Sequence, residues 1–434
     1  MKLGHTRLKL IGVGLSIALL GAACGGSGDN ESNSAGGSGN DSSMTTDAAA
    51  NSAAPDVTTG APALVESLTN LLDGHVYLAA IAVEQAVLTK STSSPQFEAA
   101  ATALDMNSVD LADAVGSVYG QDAGDQFLDL WRKHIGMFVD YTEGRLTGNK
   151  GQEAKALKAL QNYKKDFSEF LATATDGELP ADAAAEALQA HVDSLIEVIN
   201  SVVDGTGNPF DLLYTAATEH MPHTATALAG AIAAQYPDKF AGSVESAGSV
   251  LQQTLTDQLD GHVYLAAIAV EQAVLTKSTS SPQFKAAAAA LDRNSVDLSK
   301  SIESVYGADA GDQFLDLWRK HIGFFVDYTA GRLGGDDAMQ KKALDALGNY
   351  KEDFAAFLSK ATGGKLPVDA AAEALQAHVD SLVEVIDAVV DGSGNPFELL
   401  YTAAGDHMPH TATALAGAIT AQFPDKFPTE HHEM

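Results

Sequence analysis

Apolar residues recur every three or four positions along most of the chain, which is the spacing of one buried helix face. Proline and glycine interrupt this pattern at regular intervals. In the first half of the chain they delimit six predicted helices, at about 63–90, 95–118, 122–147, 151–174, 181–204 and 208–236. Alternating apolar and polar runs long enough for a strand are absent from the sequence, so we predict an all-α fold.

The second half of the sequence repeats the first at a constant offset of 187 residues, with four stretches unchanged. A period of this length is the size of a domain rather than of a solenoid repeat. We therefore predict two tandem helical-bundle domains of about six helices each, at 63–241 and 250–428, with a linker at 242–249 and a tail at 429–434. The four unchanged stretches are Asp73–Phe97 with Asp260–Phe284, Ala123–Gly136 with Ala310–Gly323, Asp182–Leu195 with Asp369–Leu382, and His220–Ile232 with His407–Ile419.

The N-terminus has the pattern of an export signal. Three basic residues precede the apolar run at 10–20, and small residues then lead to Cys24. This order resembles a bacterial lipoprotein signal, so we predict a signal peptide at 1–23 and lipidation of Cys24; the alternative is an ordinary signal peptide with an incidental cysteine. Residues 24–62 are rich in Gly, Ser, Asn and Asp and predict a disordered tether. We expect an exported protein held on the extracytoplasmic face of the cell membrane.

Charge and cysteine content narrow the choice of partners. The formal net charge is −31, which disfavours binding to nucleic acid. Cys24 is the sole cysteine, so an intramolecular disulfide and a cysteine-type zinc site are both excluded. An unidentified protein partner remains compatible with this composition.

Ten of the 13 histidines form five pairs at the same offset of 187 residues. In repeat 1, four of them stand on the apolar face of a predicted helix, and each lies near the middle of its helix. Packed side by side, these four helices would bring the four rings to one level and give each bundle a histidine-bearing core. The pairs are His75 with His262, His134 with His321, His191 with His378, His220 with His407, and His223 with His410; the first four are the core positions.

Four imidazole rings buried at one level favour a shared ligand site, because each unpartnered polar group costs roughly 1–3 kcal/mol. The alternative is a structural layer in which the rings pair with each other or with nearby polar groups. Gly74, Gly136 and Pro222 interrupt the predicted helices beside three of the histidines. These interruptions either make room for a ligand or accommodate close packing between helices.

A transition metal, with copper first, is the predicted occupant, since neutral imidazole suits copper, zinc, nickel and iron. His220 and His223 are three residues apart and can face the same ion, whereas Met221 points about 100° away from His220. We take all ten paired histidines as candidate metal ligands. The alternative is haem b held by two histidines without covalent attachment, since the sequence contains no Cys-x-x-Cys-His.

Several short motifs, including Asp73–Ala80, Leu130–Gly136, Leu188–His191 and Glu219–Met221, resemble those of uncharacterised exported all-helical bacterial domains. Some of these domains occur in proteins labelled copper amine oxidase. The resemblance covers both repeats and implies His75, His134, His191 and His220 as shared positions. The Asn-Tyr-(Asp/Glu) signature of true amine oxidases is absent from the sequence, so that activity is not implied.

Sequence motifs for a nucleophile elbow, a phosphate-binding loop or a zinc protease are also absent. We therefore expect a metal-binding protein that acts in binding, buffering or delivery rather than in catalysis. The third class of function left open is a structural cell-surface protein whose histidines form a polar layer of the core.

Overall fold

The computed structural model describes residues 57–428, in which every regular element is an α-helix. This confirms the predicted all-α fold, and the predicted helix bounds agree with the structure to within three residues. The helices are α1 (Gly60–Thr89), α2 (Pro95–Tyr119), α3 (Gln121–Thr147), α4 (Lys150–Ala174), α5 (Ala181–Asp204), α6 (Pro209–Gln235), α7 (Ala247–Thr276), α8 (Pro282–Tyr306), α9 (Ala308–Gly334), α10 (Asp337–Ala361), α11 (Val368–Asp391) and α12 (Pro396–Gln422).

Local sequence signals explain why these helices begin and end where they do. At the start of α2, the Ser94 hydroxyl accepts a hydrogen bond from the Phe97 amide, and Pro95 occupies the first helical position. At the end of α3 and of α5, Gly148 and Gly205 adopt φ values of +68° and +63°. Glycine is favoured at such left-handed positions because it has no Cβ to clash with the backbone.

Each repeat is a six-helix bundle with its first helix at the centre. In repeat 1, α1 packs against α2, α3, α5 and α6, and in repeat 2, α7 packs against α8, α9, α11 and α12. The first helix of each repeat starts three residues before the predicted bound, α1 at Gly60 and α7 at Ala247. The central position of α1 accounts for its apolar character. This helix is long and apolar enough to cross a membrane, but 78% of its most apolar window is buried inside the protein.

The two bundles touch mainly along α1 and α7, with flanking contacts of α12 with α1 and α2 and of α6 with α7 and α8. A single cluster of buried apolar residues runs through both. At the centre of this contact the rings of Tyr77 and Tyr264 stack with centroids 5.0 Å apart. A Cβ on Gly74 would lie 3.1 Å from the Tyr264 hydroxyl, and one on Gly261 would lie 2.9 Å from the Tyr77 hydroxyl. Gly74 and its counterpart therefore make room for the neighbouring repeat, which favours the packing explanation at this position.

Buried acid and amide side chains join the two central helices further along. The Gln85 amide donates a hydrogen bond to Glu271, and the Gln272 amide donates one to Glu84. Burial raises the pKa of Glu271 to about 7, and burial together with the neighbouring Glu271 raises that of Glu84. The two bonds are related by the internal repeat, so each bundle supplies one donor and one acceptor.

The interface departs from this symmetry at one pair of positions. The Asn70 amide donates to an oxygen of Asp260 at 2.9 Å, but the residue 187 positions after Asn70 is Asp257. Asp257 lies close enough to Asp73 to raise its pKa, after the larger effect of burial. Within residues 57–428, neither carboxyl oxygen of Asp73 has a hydrogen-bond partner, and Oδ1 of Asp257 has none. One half of the interface thus has an amide–carboxyl pair where the other has two carboxyls.

We predict that Asp257→Asn stabilises the protein at alkaline pH. Burial, followed by the nearby charge of Asp297, raises the pKa of Asp257 from 3.8 to about 7. The stability contributed by this neutral carboxyl is therefore fully present below pH 3.8 and is lost as the pH rises through 7. Urea denaturation at pH 8 should show the variant to be more stable by about 1–3 kcal/mol, with little difference at pH 4.

The matched control is Asn70→Asp, which places a second carboxyl beside Asp260 at the symmetry-related position. This variant should lose stability more steeply than the wild type as the pH rises from 4 to 7. A pH profile left unchanged by both substitutions would contradict the role assigned to Asp257.

Candidate metal site

Three of the predicted histidines of each repeat meet in its core. In repeat 1, His75 comes from α1, His134 from α3 and His191 from α5. Each side chain is buried because it stands on the apolar face of its helix, as His134 does between Trp131 and Phe138. The counterparts in repeat 2 are His262, His321 and His378. We call each group of three a histidine triad.

The nitrogen atoms of the triad are spaced closely enough to share an ion. The Nε2 atoms of His75 and His134 are 3.3 Å apart, and one ligand nitrogen from each of the three rings lies within 4.8 Å of the others. Two ligands on a tetrahedral ion with metal–nitrogen bonds of about 2.0–2.1 Å are separated by about 3.3 Å. The first pair already has this spacing, and the nitrogen of His191 lies within 4.8 Å of the other two. The triad of repeat 2 repeats this arrangement, with 3.3 Å between the Nε2 atoms of His262 and His321.

Burial keeps the three rings neutral. It lowers the pKa of His75 well below 6.5, and the proximity of His134 and His191 lowers it further. Burial and the neighbouring His191 lower the pKa of His134 well below its ordinary value, although the backbone of Trp131 partly offsets this. Burial lowers the pKa of His191 to about 4, with a smaller contribution from His220. Neutral imidazole is the form that binds a metal ion.

Several nitrogen atoms of the triad lack hydrogen-bond partners among the described residues. They are Nδ1 of His75, Nδ1 of His134 and Nε2 of His191. An unpartnered buried polar atom costs about 1–3 kcal/mol. A bound ion would satisfy His191 Nε2, whereas Nδ1 of His75 does not have the acceptor that usually orients a metal-binding histidine.

Aromatic contacts hold the rings in place instead. The Trp131 ring lies 4.6 Å from the His75 ring and 4.5 Å from that of His134, measured between centroids. Tyr163 of α4 stacks on His134 at 5.2 Å. Trp318 and Tyr350 make the same contacts in repeat 2.

We did not predict these aromatic neighbours from the sequence. Trp131 precedes His134 by three residues, a helical spacing that would have identified it as a neighbour on the same face. Tyr163 stands one turn from Leu160 and Phe167 on the buried face of α4. That helix carries no histidine, so a search for ligand residues along the sequence does not point to it.

A cavity of about 30 Å³ adjoins the triad and is lined by His75, His134 and mainly apolar side chains such as Phe138 and Leu195. This volume admits roughly one or two water molecules, enough for a further small ligand on an ion. A porphyrin would require the helices to separate. The space beside the histidines therefore favours a metal ion over the alternative of haem b.

His220 and His223 lie outside the triad, unlike the four-ring layer predicted from the sequence. The buried face of α6 runs through Leu213, Ala217 and Met221, so His220 is displaced to the flank and is half-buried. His223 is exposed, as is His410 in repeat 2, where His407 is again half-buried. From Ala217, a step of three residues along the buried face leads to His220 and a step of four leads to Met221. From the sequence we predicted the first of these, whereas in the structure Met221 is the buried residue.

Gly136 and Pro222, the other two predicted helix interruptions, lie away from the cavity beside the triad. Gly136 is exposed, and a Cβ there would meet nothing within 4 Å. Pro222 lies inside α6, and its carbonyl accepts a hydrogen bond from the Gln253 amide of repeat 2 at 2.8 Å. Neither residue lines the cavity beside the triad.

Comparison with known proteins identifies no relative. The chain matches no protein-family model, no curated protein sequence and no solved structure. The resemblance to exported all-helical domains therefore stays a prediction. The predicted signal peptide and Cys24 lie outside the described residues, as does most of the predicted tether.

We predict that protonation of the triad rings destabilises the metal-free protein below pH 6.5, against an opposite effect of buried carboxyls such as Asp257 and Glu271. Because the folded-state pKa of each triad ring is lowered, the stability it contributes is fully present above 6.5 and is lost as the pH falls, down to about 4 for His191. Each ring that is protonated only on unfolding contributes up to about 1.4 kcal/mol per pH unit. Urea denaturation of the wild type and of a variant that lacks one ring, compared between pH 7 and pH 5, would isolate this contribution.

The control for this measurement is His191→Asn, which removes one titrating ring. As the pH falls, its unfolding free energy should change with a slope that differs from the wild type by about 1.4 kcal/mol per pH unit, the effect of one proton. An identical slope in the variant and the wild type would contradict burial of a neutral ring at this position.

Proposed function

We propose that this protein binds transition metal ions, with copper as the preferred metal, and that each histidine triad holds one ion. We also propose that the protein is exported and held by a lipid anchor on the extracytoplasmic side of the membrane. The observation that carries the proposal is the meeting of three buried, neutral imidazoles with one nitrogen each within 4.8 Å. The same arrangement in both repeats gives a capacity of two ions per chain.

The preference for copper rests on ligand chemistry. The ligand set consists of nitrogen alone, and divalent copper stands highest in the affinity order for such sites. Zinc forms the same bonds at similar lengths and is the main competitor. Trp131 and the other apolar neighbours of the triad would slow ligand exchange with water.

Export and anchoring are proposed from the N-terminal sequence. A basic segment, an apolar run and a small-residue approach to Cys24 support a lipoprotein signal. The polar segment that follows would extend the helical part away from the membrane surface. This placement suits the capture, buffering or delivery of metal ions outside the cytoplasm.

Binding is favoured over catalysis by the surroundings of the triad. Its rings are buried, and their ring contacts are with aromatic side chains and with one another. The adjoining cavity is mainly apolar and too small for an organic substrate together with water.

The two tryptophans of the chain allow each triad to be tested separately, because Trp131 contacts one triad and Trp318 the other. We predict that mature protein titrated with Cu²⁺ binds two ions, quenches both tryptophans and gains thermal stability. His134→Ala should reduce the stoichiometry to one ion and leave quenching of Trp318 intact. His321→Ala should give the reciprocal result, so the unmodified repeat is an internal control for folding.

A structural polar layer is the competing function, and a specific contact favours it. The 3.3 Å separation of the His75 and His134 Nε2 atoms also fits a long N–H···N hydrogen bond. Under this alternative, His134→Ala lowers stability while the wild-type protein binds neither Cu²⁺ nor Zn²⁺ and shows no thermal shift. That result would contradict the metal-binding proposal.

A further inference from the structure

The two histidines of α6 that lie outside the triad form a pair on the protein surface. His220 and His223 are three residues apart, so their side chains lie on the same side of the helix. The Nδ1 atom of His223 lies 2.9 Å from the Glu219 carbonyl oxygen, and in repeat 2 the Nδ1 atom of His410 lies 2.7 Å from the Asp406 carbonyl oxygen. A carbonyl accepts but does not donate, so the proton belongs on Nδ1 and the Nε2 lone pair is left for a metal ion.

Exposure decreases stepwise from this pair to the triad. His223 is exposed and His220 is half-buried, whereas His191 is 8% exposed and His75 is 1% exposed. Helix α5, which carries His191, packs against α6. His220 is near enough to His191 to act on it electrostatically, and His407 acts on His378 in the same way.

His191 is the triad member suited to receive an ion from α6. Its Nε2 has no hydrogen-bond partner among the described residues, whereas the Nε2 atoms of His75 and His134 face each other. An ion arriving from His220 would therefore meet an unpaired nitrogen first. The corresponding Nε2 of His378 is also unpartnered in the described part of repeat 2.

We infer that His220 and His223 form an entry site that captures late transition metal ions from solvent and passes them through His191 to the triad. His407 and His410 do the same for repeat 2. This inference rests on the proposed binding of metal by the triads. Each step exchanges a water or imidazole ligand for another imidazole nitrogen, and no electron is transferred.

The physical need for such a site is dehydration. A hydrated divalent ion carries a shell of water that does not fit the cavity of about 30 Å³ beside the triad. Replacing these waters one at a time by surface imidazoles avoids releasing them all at the buried site. Loss of the entry pair should therefore slow loading and leave the amount of metal bound at equilibrium unchanged.

We would test this by stopped-flow mixing of metal-free protein with Cu²⁺, following tryptophan quenching. The double variant H220A/H407A should load at least about tenfold more slowly than the wild type and still bind two ions at the end point. H223A/H410A should also load slowly. Its substitutions are at exposed positions, so this second variant keeps the test valid if the first folds poorly.

The matched control is T224A/T411A, one residue beyond His223 and His410 in the two repeats. Thr224 and Thr411 each donate a hydroxyl hydrogen bond to the carbonyl of the nearby entry histidine and have no imidazole. This variant should load at the wild-type rate.

Three results would overturn the entry site. Unchanged loading rates in both histidine variants would show that ions enter elsewhere. A reduced end-point stoichiometry in H220A/H407A would make His220 a ligand of the stored ion, with metal binding itself retained. Absence of any uptake by the wild type would instead reject the proposed function on which the entry site depends.

Discussion

The burial of three uncharged imidazoles in each bundle is the constraint on which the rest of the structure depends. The rings come from α1, α3 and α5, so the core can close only if these helices meet at one level. Within the described chain, each triad leaves three ring nitrogens without hydrogen-bond partners, at roughly 1–3 kcal/mol each. A shared metal ion would offset part of this cost, and aromatic packing by Trp131 and Tyr163 fixes the rings without using their nitrogens.

Duplication joins two such sites through the same helices that carry them. Helix α1 presents His75 to its own bundle and Tyr77 to the other repeat, and α7 does the same with His262 and Tyr264. The two triads are therefore connected by rigid, buried helices. The symmetry is incomplete, because Asp257 occupies the position equivalent to Asn70 and places two carboxyls together on one side of the interface.

The sequence was sufficient to predict the helices and the burial of the three histidines that meet in each bundle. Proline, glycine and capping residues such as Ser94 act locally, so the ends of helices follow from nearby residues alone. His134 and His191 were placed correctly because their helices have one clearly apolar face. Helix α6 is rich in alanine on several sides, so the choice between His220 and Met221 was decided by packing against other helices. The contact between Tyr77 and Tyr264 could not be predicted from neighbouring residues either, since it depends on how the two bundles pack together.

Anomalous X-ray diffraction from crystals grown with Cu²⁺ would test the central claim most directly. The account predicts one strong peak in each bundle, about 2.0–2.1 Å from one nitrogen of each ring of the triad formed by His75, His134 and His191 and of its counterpart in repeat 2. Peaks confined to surface side chains, with the His75 and His134 rings still in direct contact, would contradict it.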